Sequence, residues 1–324
     1  MNNGLLQLKT IIELNDNNAR KRYNPDITYY DIMHGERKVA EINMRGEATI
    51  LDEKFLPYDL YLENDCDFDT LINNMNNFYH WCASRVLSLD RKYAKEILNS
   101  IGMAQAMTDQ DRAKIALSYH CVSLTDVYWV KKSDEDISYE KINLYDNSLN
   151  EAVVELSLRG KPMTVTNQEL APDLSTKGCF PKAWIRRGKD FILLKDGGDD
   201  AVQKELLASR LCQCFDFKQV KYDEDFYDGQ KVTQSKIITS RQYSIVSKMA
   251  FEIYALNHDL NVLNECLRID KKTQREAAIE AVRHVGMHQI KDIEEEIFED
   301  MTEWKEMFFR RLEELKNAAD TSVF

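Results

Sequence analysis

The chain has 324 residues and a formal net charge of −12. That length suffices for two or three units with cores of their own. The acidic balance argues against a nucleic-acid-binding surface over most of the chain, because phosphate contacts need clustered Lys and Arg. No apolar run approaches the ~20 residues needed to span a bilayer, and Met1-Asn-Asn-Gly4 lacks the basic-then-apolar pattern of a secretory signal. The seven cysteines are an odd number without framework spacing, which fits a reducing cytoplasm better than a disulfide scaffold. The expected protein is cytoplasmic and has no membrane span.

From the N-terminus, an apolar patch (Leu5, Leu6, Leu8, Ile11, Ile12, Leu14) is followed by Pro25, which ends any helix there. Ile27–Met33 and Lys38–Met44 alternate like strands around His34-Gly-Glu-Arg37, a hairpin turn. Asp69–Val86, Asp90–Ser100 and Asp109–Tyr119 carry apolar residues at three-to-four spacing, each opened by an Asp suited to capping a helix. These elements define an N-terminal α+β unit over residues 1–120. Cys121–Val130 reads as extended and Lys131–Glu140 as a charged loop. Ala152-Val-Val-Glu-Leu-Ser-Leu158 reads as a strand that stops at Gly160-Lys-Pro162.

The next stretch carries a denser pattern. Ser175–Ile185 reads as a turn feeding a strand, Phe191-Ile-Leu-Leu-Lys195 as a short apolar strand, Gln203–Cys214 as a helix and Val232–Thr239 as a further strand. In this order Lys195 ends a strand and Glu205 comes ten residues later inside a helix, a spacing that lets the carboxylate reach back to the ammonium. Taken alone, such a lysine and glutamate are also ordinary surface residues. The loop Ser175-Thr-Lys-Gly178 has one glycine and is neither G-x-G-x-x-G nor a Walker A motif. Its backbone N–H groups, with Lys177 or Lys182, are candidates to meet phosphate oxygens, and a simple turn is the plainer reading.

In combination, Leu124-Thr-Asp-Val-Tyr-Trp129, Thr176-Lys-Gly-Cys-Phe-Pro-Lys-Ala-Trp184, Phe191–Lys195 and Glu205-Leu-Leu-Ala-Ser209 resemble HipA-like serine/threonine kinases over residues ~120 to 270. The resemblance implies an α+β fold with a kinase-like small lobe (antiparallel sheet plus helix) over 121–240, between the N-terminal α+β unit and an all-helical C-terminal segment over 241–324. It implies that Lys195 contacts phosphate with Glu205 holding it, and that Thr176, Lys177, Gly178 and Lys182 lie in the nucleotide loop. Lys236 and Thr239 would then lead to the adenine-contacting hinge. ATP is the cofactor this implies, weakly held. The bacterial mobile-element, phage-defence or toxin–antitoxin setting of such relatives is likewise implied.

The departure from the family concerns catalysis. Its catalytic loop, with an Asp base and a metal-binding Asn, is missing as a recognisable pattern, and only 85 residues come after Thr239. Asp259 and Asn264 match the D-x-x-x-x-N spacing, but they lie within helical periodicity, where residues five apart diverge in direction. The leading expectation is a pseudokinase that binds a protein partner and has no catalytic or metal-binding residues. The alternatives are a minimal kinase using Asp259 and Asn264, and an acidic inhibitor or adaptor that uses the lobe as a scaffold. His284 and His288 share a helix face without completing a zinc set. Ser244–Leu267 and Gln274–Val285 read as helices, and Ile290–Ala319 as one helix or two. Its stripe is Ile293, Ile297, Met301, Trp304 and Phe308, and its outer face is acidic. That face suits a partner with a basic surface or simply solvent.

Overall fold

The computed structural model of the chain describes residues 27–100, 108–147, 151–160, 175, 176, 178–214, 219–247, 250 and 295–321. The fold is mixed α+β with two four-stranded antiparallel sheets, and the chain divides into two compact units. The first comprises Met1–Arg85, Thr108–Val122 and Val127–Asn143, and the second Val86–Met107, Ser123–Asp126 and Leu144–Phe324. Both are therefore discontinuous in sequence.

In the first unit, β1 (Tyr29–His34) and β2 (Arg37–Asn43) form the expected hairpin, with Gly35 at φ +57° in its turn. β3 (Ala48–Ile50) has no counterpart among the expected elements. β4 (Tyr128–Lys132) pairs with β1 and completes the order β3-β2-β1-β4. This pairing carries the unit to Asn143, well past residue 120, and turns the start of the expected charged loop into strand. The indole of Trp129, fully buried, donates to the Gly35 carbonyl at 2.6 Å.

Helix α1 (Phe68–Ser84) starts one residue before the expected Asp69. Its cap is Asp67, which accepts from the backbone N–H groups of Asp69 and Thr70. Its inner stripe holds Thr70, Asn74, Phe78, Trp81 and Cys82. In chain order α2 (Ala94–Ser100) comes next and belongs to the second unit, starting four residues after the expected Asp90. Helix α3 (Asp109–Ser118) is capped by Thr108 in a reciprocal box with Asp111, so Asp109 is its first helical residue. The short α4 (Tyr139–Ile142) closes the first unit.

The second unit corrects the expected strand at Ala152–Leu158, which is helix α5 (Glu151–Arg159). The β-branched pair Val153-Val154 and the Val-x-Leu-x-Leu alternation fit a strand equally well. Tertiary packing decides, because Val154 and Leu158, one helical turn apart, lie together on Ala183, Ile192, Leu194 and Val232. Gly160 at φ +66° ends this helix, its N–H bonding the Leu156 carbonyl.

The sheet that α5 covers contains β5 (Lys182–Arg187), β6 (Asp190–Lys195), β7 (Tyr222–Tyr227) and β8 (Gln230–Lys236), in the order β5-β6-β8-β7. Helix α6 (Asp199–Cys212) connects β6 to β7 and begins four residues before the expected Gln203. β7 is likewise absent from the expected elements, although Asp228-Gly229, both at positive φ, is the turn that a tight hairpin demands.

Toward the C-terminus, a 3-10 turn at Glu295–Phe298 precedes α7 (Thr302–Thr321). Glu299, at φ +50°, breaks the helical path between them. The apolar stripe therefore changes phase. Phe298 is fully buried against the rings of Phe308 and Phe309, while Trp304 is 38% exposed. Ser244–Ser247 are not helical, and Ile245 donates its N–H to the Thr125 carbonyl. The remaining helical readings between 251 and 294, with Asp259, Asn264, His284 and His288, fall outside the described residues.

Candidate functional site

Alternation along the strands of the second unit sorts its sheet into two unlike faces. Ala183, Ile192, Leu194 and Val232 point to the α5 side and form its apolar core. The other face carries Lys182, Lys195 and Thr233 in a row, because Lys182 is the register partner of Lys195 and Lys195 that of Thr233. Cross-strand partners lie about 5 Å apart at Cβ, so two lysines stand side by side on a half-buried surface.

Helix α6 supplies the counter-charge. Glu205 forms an ion pair with Lys195 through one carboxylate oxygen and accepts from the Thr233 hydroxyl at 2.8 Å through the other. One turn on, the Ser209 hydroxyl accepts from the Tyr222 N–H at 2.9 Å, which fixes α6 against β7. The Lys195 ammonium also lies 5.3 Å from the centre of the Phe180 ring, a cation–π contact. Gly197 leaves room for that ring, since a Cβ there would stand 3.2 Å from it and closer still to Ala201.

Lys182 has the more demanding position, at 6% exposure. Its pKa is lowered to about 8, first by burial and then by the charges of Arg91 and Lys195. Arg91, itself buried, donates to the Lys182 carbonyl and to the Thr176 hydroxyl, and Lys92 N–H bonds the Cys179 carbonyl. The segment Arg91-Lys92 therefore ties down Thr176, Cys179 and Lys182. Gly178, at φ +102°, brings its backbone so close to Lys182 that a Cβ would lie 2.8 Å from Nζ.

Thr176, Gly178, Lys182, Lys195 and Glu205 are thus gathered around one polar sheet face, while Lys177 lies outside the described residues. Lys236 is not part of the cluster. It shares register with Ile192 on the opposite face and forms an exposed ion pair with Asp190 at 2.7 Å. Thr239 lies beyond the end of β8, buried, with its hydroxyl donating to the Leu124 carbonyl. Sequence reading missed Arg91, Phe180 and Thr233. Thr233 was recoverable from strand alternation once β6 and β8 were paired, whereas Arg91 carried no local signal.

The cluster is suited to meeting anions. It offers a lysine held by a carboxylate and, beside it, a second lysine whose pKa is lowered to about 8 and which still carries most of its charge at neutral pH. Both Glu205 oxygens are engaged, so this carboxylate serves as an anchor. No family model matches the chain, and no curated protein matches it. Among the described residues no helix is long and apolar enough to cross a membrane, and no group of three or more His, Cys, Asp or Glu side chains is placed to hold a metal ion.

Proposed function

We propose that the second unit is a HipA-like kinase small lobe that holds phosphate groups weakly and works by binding a protein partner, without phosphoryl transfer of its own. The Lys195–Glu205 ion pair carries this reading. Protein kinases place a phosphate-contacting lysine on a strand and hold it with a glutamate from the next helix. Here the pair sits in an antiparallel sheet of order β5-β6-β8-β7, with the helix inserted after the lysine strand. The loop before β5 approaches the same lysines through Gly178 and Phe180.

The partner half of the reading rests on the segment C-terminal to β8. Ile238, Tyr243, Ile245 and Val246 are 60, 69, 48 and 46% exposed, a concentration of large apolar side chains that suits docking better than solvent. The acidic charge of the chain favours a basic surface on that partner.

Calorimetry with ATP and magnesium tests the first half. The expected affinity is about millimolar, roughly 4 kcal/mol of binding free energy, and Lys195→Met should abolish it. Incubation with labelled ATP should give no incorporation. Robust labelling that disappears in Asp259→Asn would overturn this reading and establish a minimal kinase.

A further inference from the structure

Helix α6 is held from two sides. Val202, Glu205 and Ser209 form the stripe that meets the sheet, with Glu205 on Lys195 and Thr233 and Ser209 on the Tyr222 amide. At about 100° per residue, Leu207 points nearly the opposite way. It is nevertheless only 3% exposed, whereas Gln203, one turn back along the same side, is exposed. The Glu295–Phe298 turn packs against α6, and Phe298 is fully buried beneath Phe308 and Phe309. Two polar contacts join the same elements: Arg210 Nη1 with Glu299 Oε1 at 2.7 Å, and the Lys204 ammonium 5.4 Å from the centre of the Trp304 ring. Lys204, Leu207 and Arg210, at i, i+3 and i+6, are the outer ridge of the helix.

We propose that the C-terminal turn and helix α7 form a brace that sets α6 on the sheet, so that seating or release of the brace controls whether Glu205 holds Lys195. The inference names a regulator of the candidate site and rests, for its biological meaning, on the phosphate-holding reading.

The geometry gives the brace leverage. Glu205 sits mid-helix, between the Lys204–Trp304 contact and the Arg210–Glu299 pair, so a tilt of α6 moves its carboxylate directly. The N-terminal end of the helix is joined to β6 through Gly197-Gly198, with Gly198 at φ +80°, a pair of residues that accommodates such a tilt with little resistance. Glu299, at positive φ, ends the turn and aims its carboxylate at Arg210. The exposed ion pair contributes little alone. The packing of the Glu295–Phe298 turn on α6 is the main hold in this proposal, and the charges set its register.

The test reads Lys195 directly and needs no nucleotide. The full chain is treated briefly with acetic anhydride, and the modification rate of Lys195 is measured by peptide mass spectrometry relative to exposed Lys236. Glu205→Gln sets the rate for an unheld lysine. Phe298→Ala should raise the Lys195 rate at least threefold toward that value, and Glu299→Lys about twofold. Arg210→Glu combined with Glu299→Lys should return it to the wild-type rate. A rise at buried Lys182 in Phe298→Ala would mean that the unit has unfolded, and the charge-reversal series then decides. Wild-type Lys195 rates in Glu299→Lys, with a raised rate in Glu205→Gln, would overturn the proposal. ATP protection of Lys195 in the wild type is a separate measurement. Its absence would remove the phosphate-holding reading and leave the brace intact.

Discussion

Glu205 is the residue at which the second unit is most open to a quantitative test. Its carboxylate makes a charge-assisted bond to Lys195 and a second bond to Thr233, which is fully buried. A hydrogen bond to a charged group contributes roughly 1.5–3 kcal/mol net. The side chains of Lys195 and Glu205 are 22% and 27% exposed, so solvent screening reduces the pair to about 1 kcal/mol. Glu205→Gln removes the charge and keeps an acceptor for Thr233, and should destabilise the unit by about 1 kcal/mol. Glu205→Ala also strands the Thr233 hydroxyl, adding about 1 kcal/mol or more for an unsatisfied buried group. The double-mutant cycle with Lys195→Met should then show a coupling of about 1 kcal/mol. Native-state hydrogen exchange at the β6 and β8 amides is the suitable assay, because it reads this sheet independently of the first unit. A coupling below about 0.3 kcal/mol, within the additivity of independent sites, would refute the reasoning and return both residues to ordinary surface chemistry.

Lys182 predicts a pH dependence of definite sign. Its folded pKa of about 8 lies below the unfolded value near 10.4, so between those limits the unfolded chain binds the extra proton, and stability should rise with pH by at most about 1.4 kcal/mol per unit. Lys182→Met should abolish that rise, which denaturation at pH 7.5 and 9.5 compares directly. In the first unit, Asn74 bonds the carbonyls of Gly46 and Glu63 and accepts from the Glu63 N–H. Asn74→Ala should therefore cost about 2–4 kcal/mol, measured as lost exchange protection in α1. Alkylation with iodoacetamide should reach exposed Cys66 and Cys179 first and leave Cys82 untouched, because burial and then the neighbouring Cys121 thiol push the Cys82 pKa well above its usual value. Early loss of the Cys82 thiol would contradict the packing of α1.

One physical division separates the elements legible in the sequence from those that are not. The β1–β2 hairpin, β6, and helices α1, α3 and α6 are legible because local chemistry specifies them: turn residues, alternation and acidic first turns. The Lys195–Glu205 pair is likewise within reach, since ten residues separate its members and the intervening strand end and helix start fix their relation. The errors occur where distant groups decide. Val154 and Leu158 suit a strand or a helix equally, and only the apolar sheet face beneath them selects helix. Tyr222–Tyr227 contains three acidic residues, which masks a strand that main-chain pairing with β8 stabilises anyway. Arg91 lies 91 residues before the Lys182 carbonyl it binds, and no spacing rule reaches that far. The same argument explains the pKa of Lys182. The lysine itself is visible in Phe180-Pro-Lys182, but its depressed basicity depends first on its burial in the assembled sheet, then on Arg91 and on the register that sets Lys195 beside it. Which residues could meet an anion is therefore partly a local property. The charge state in which they would do so is set by the assembled sheet.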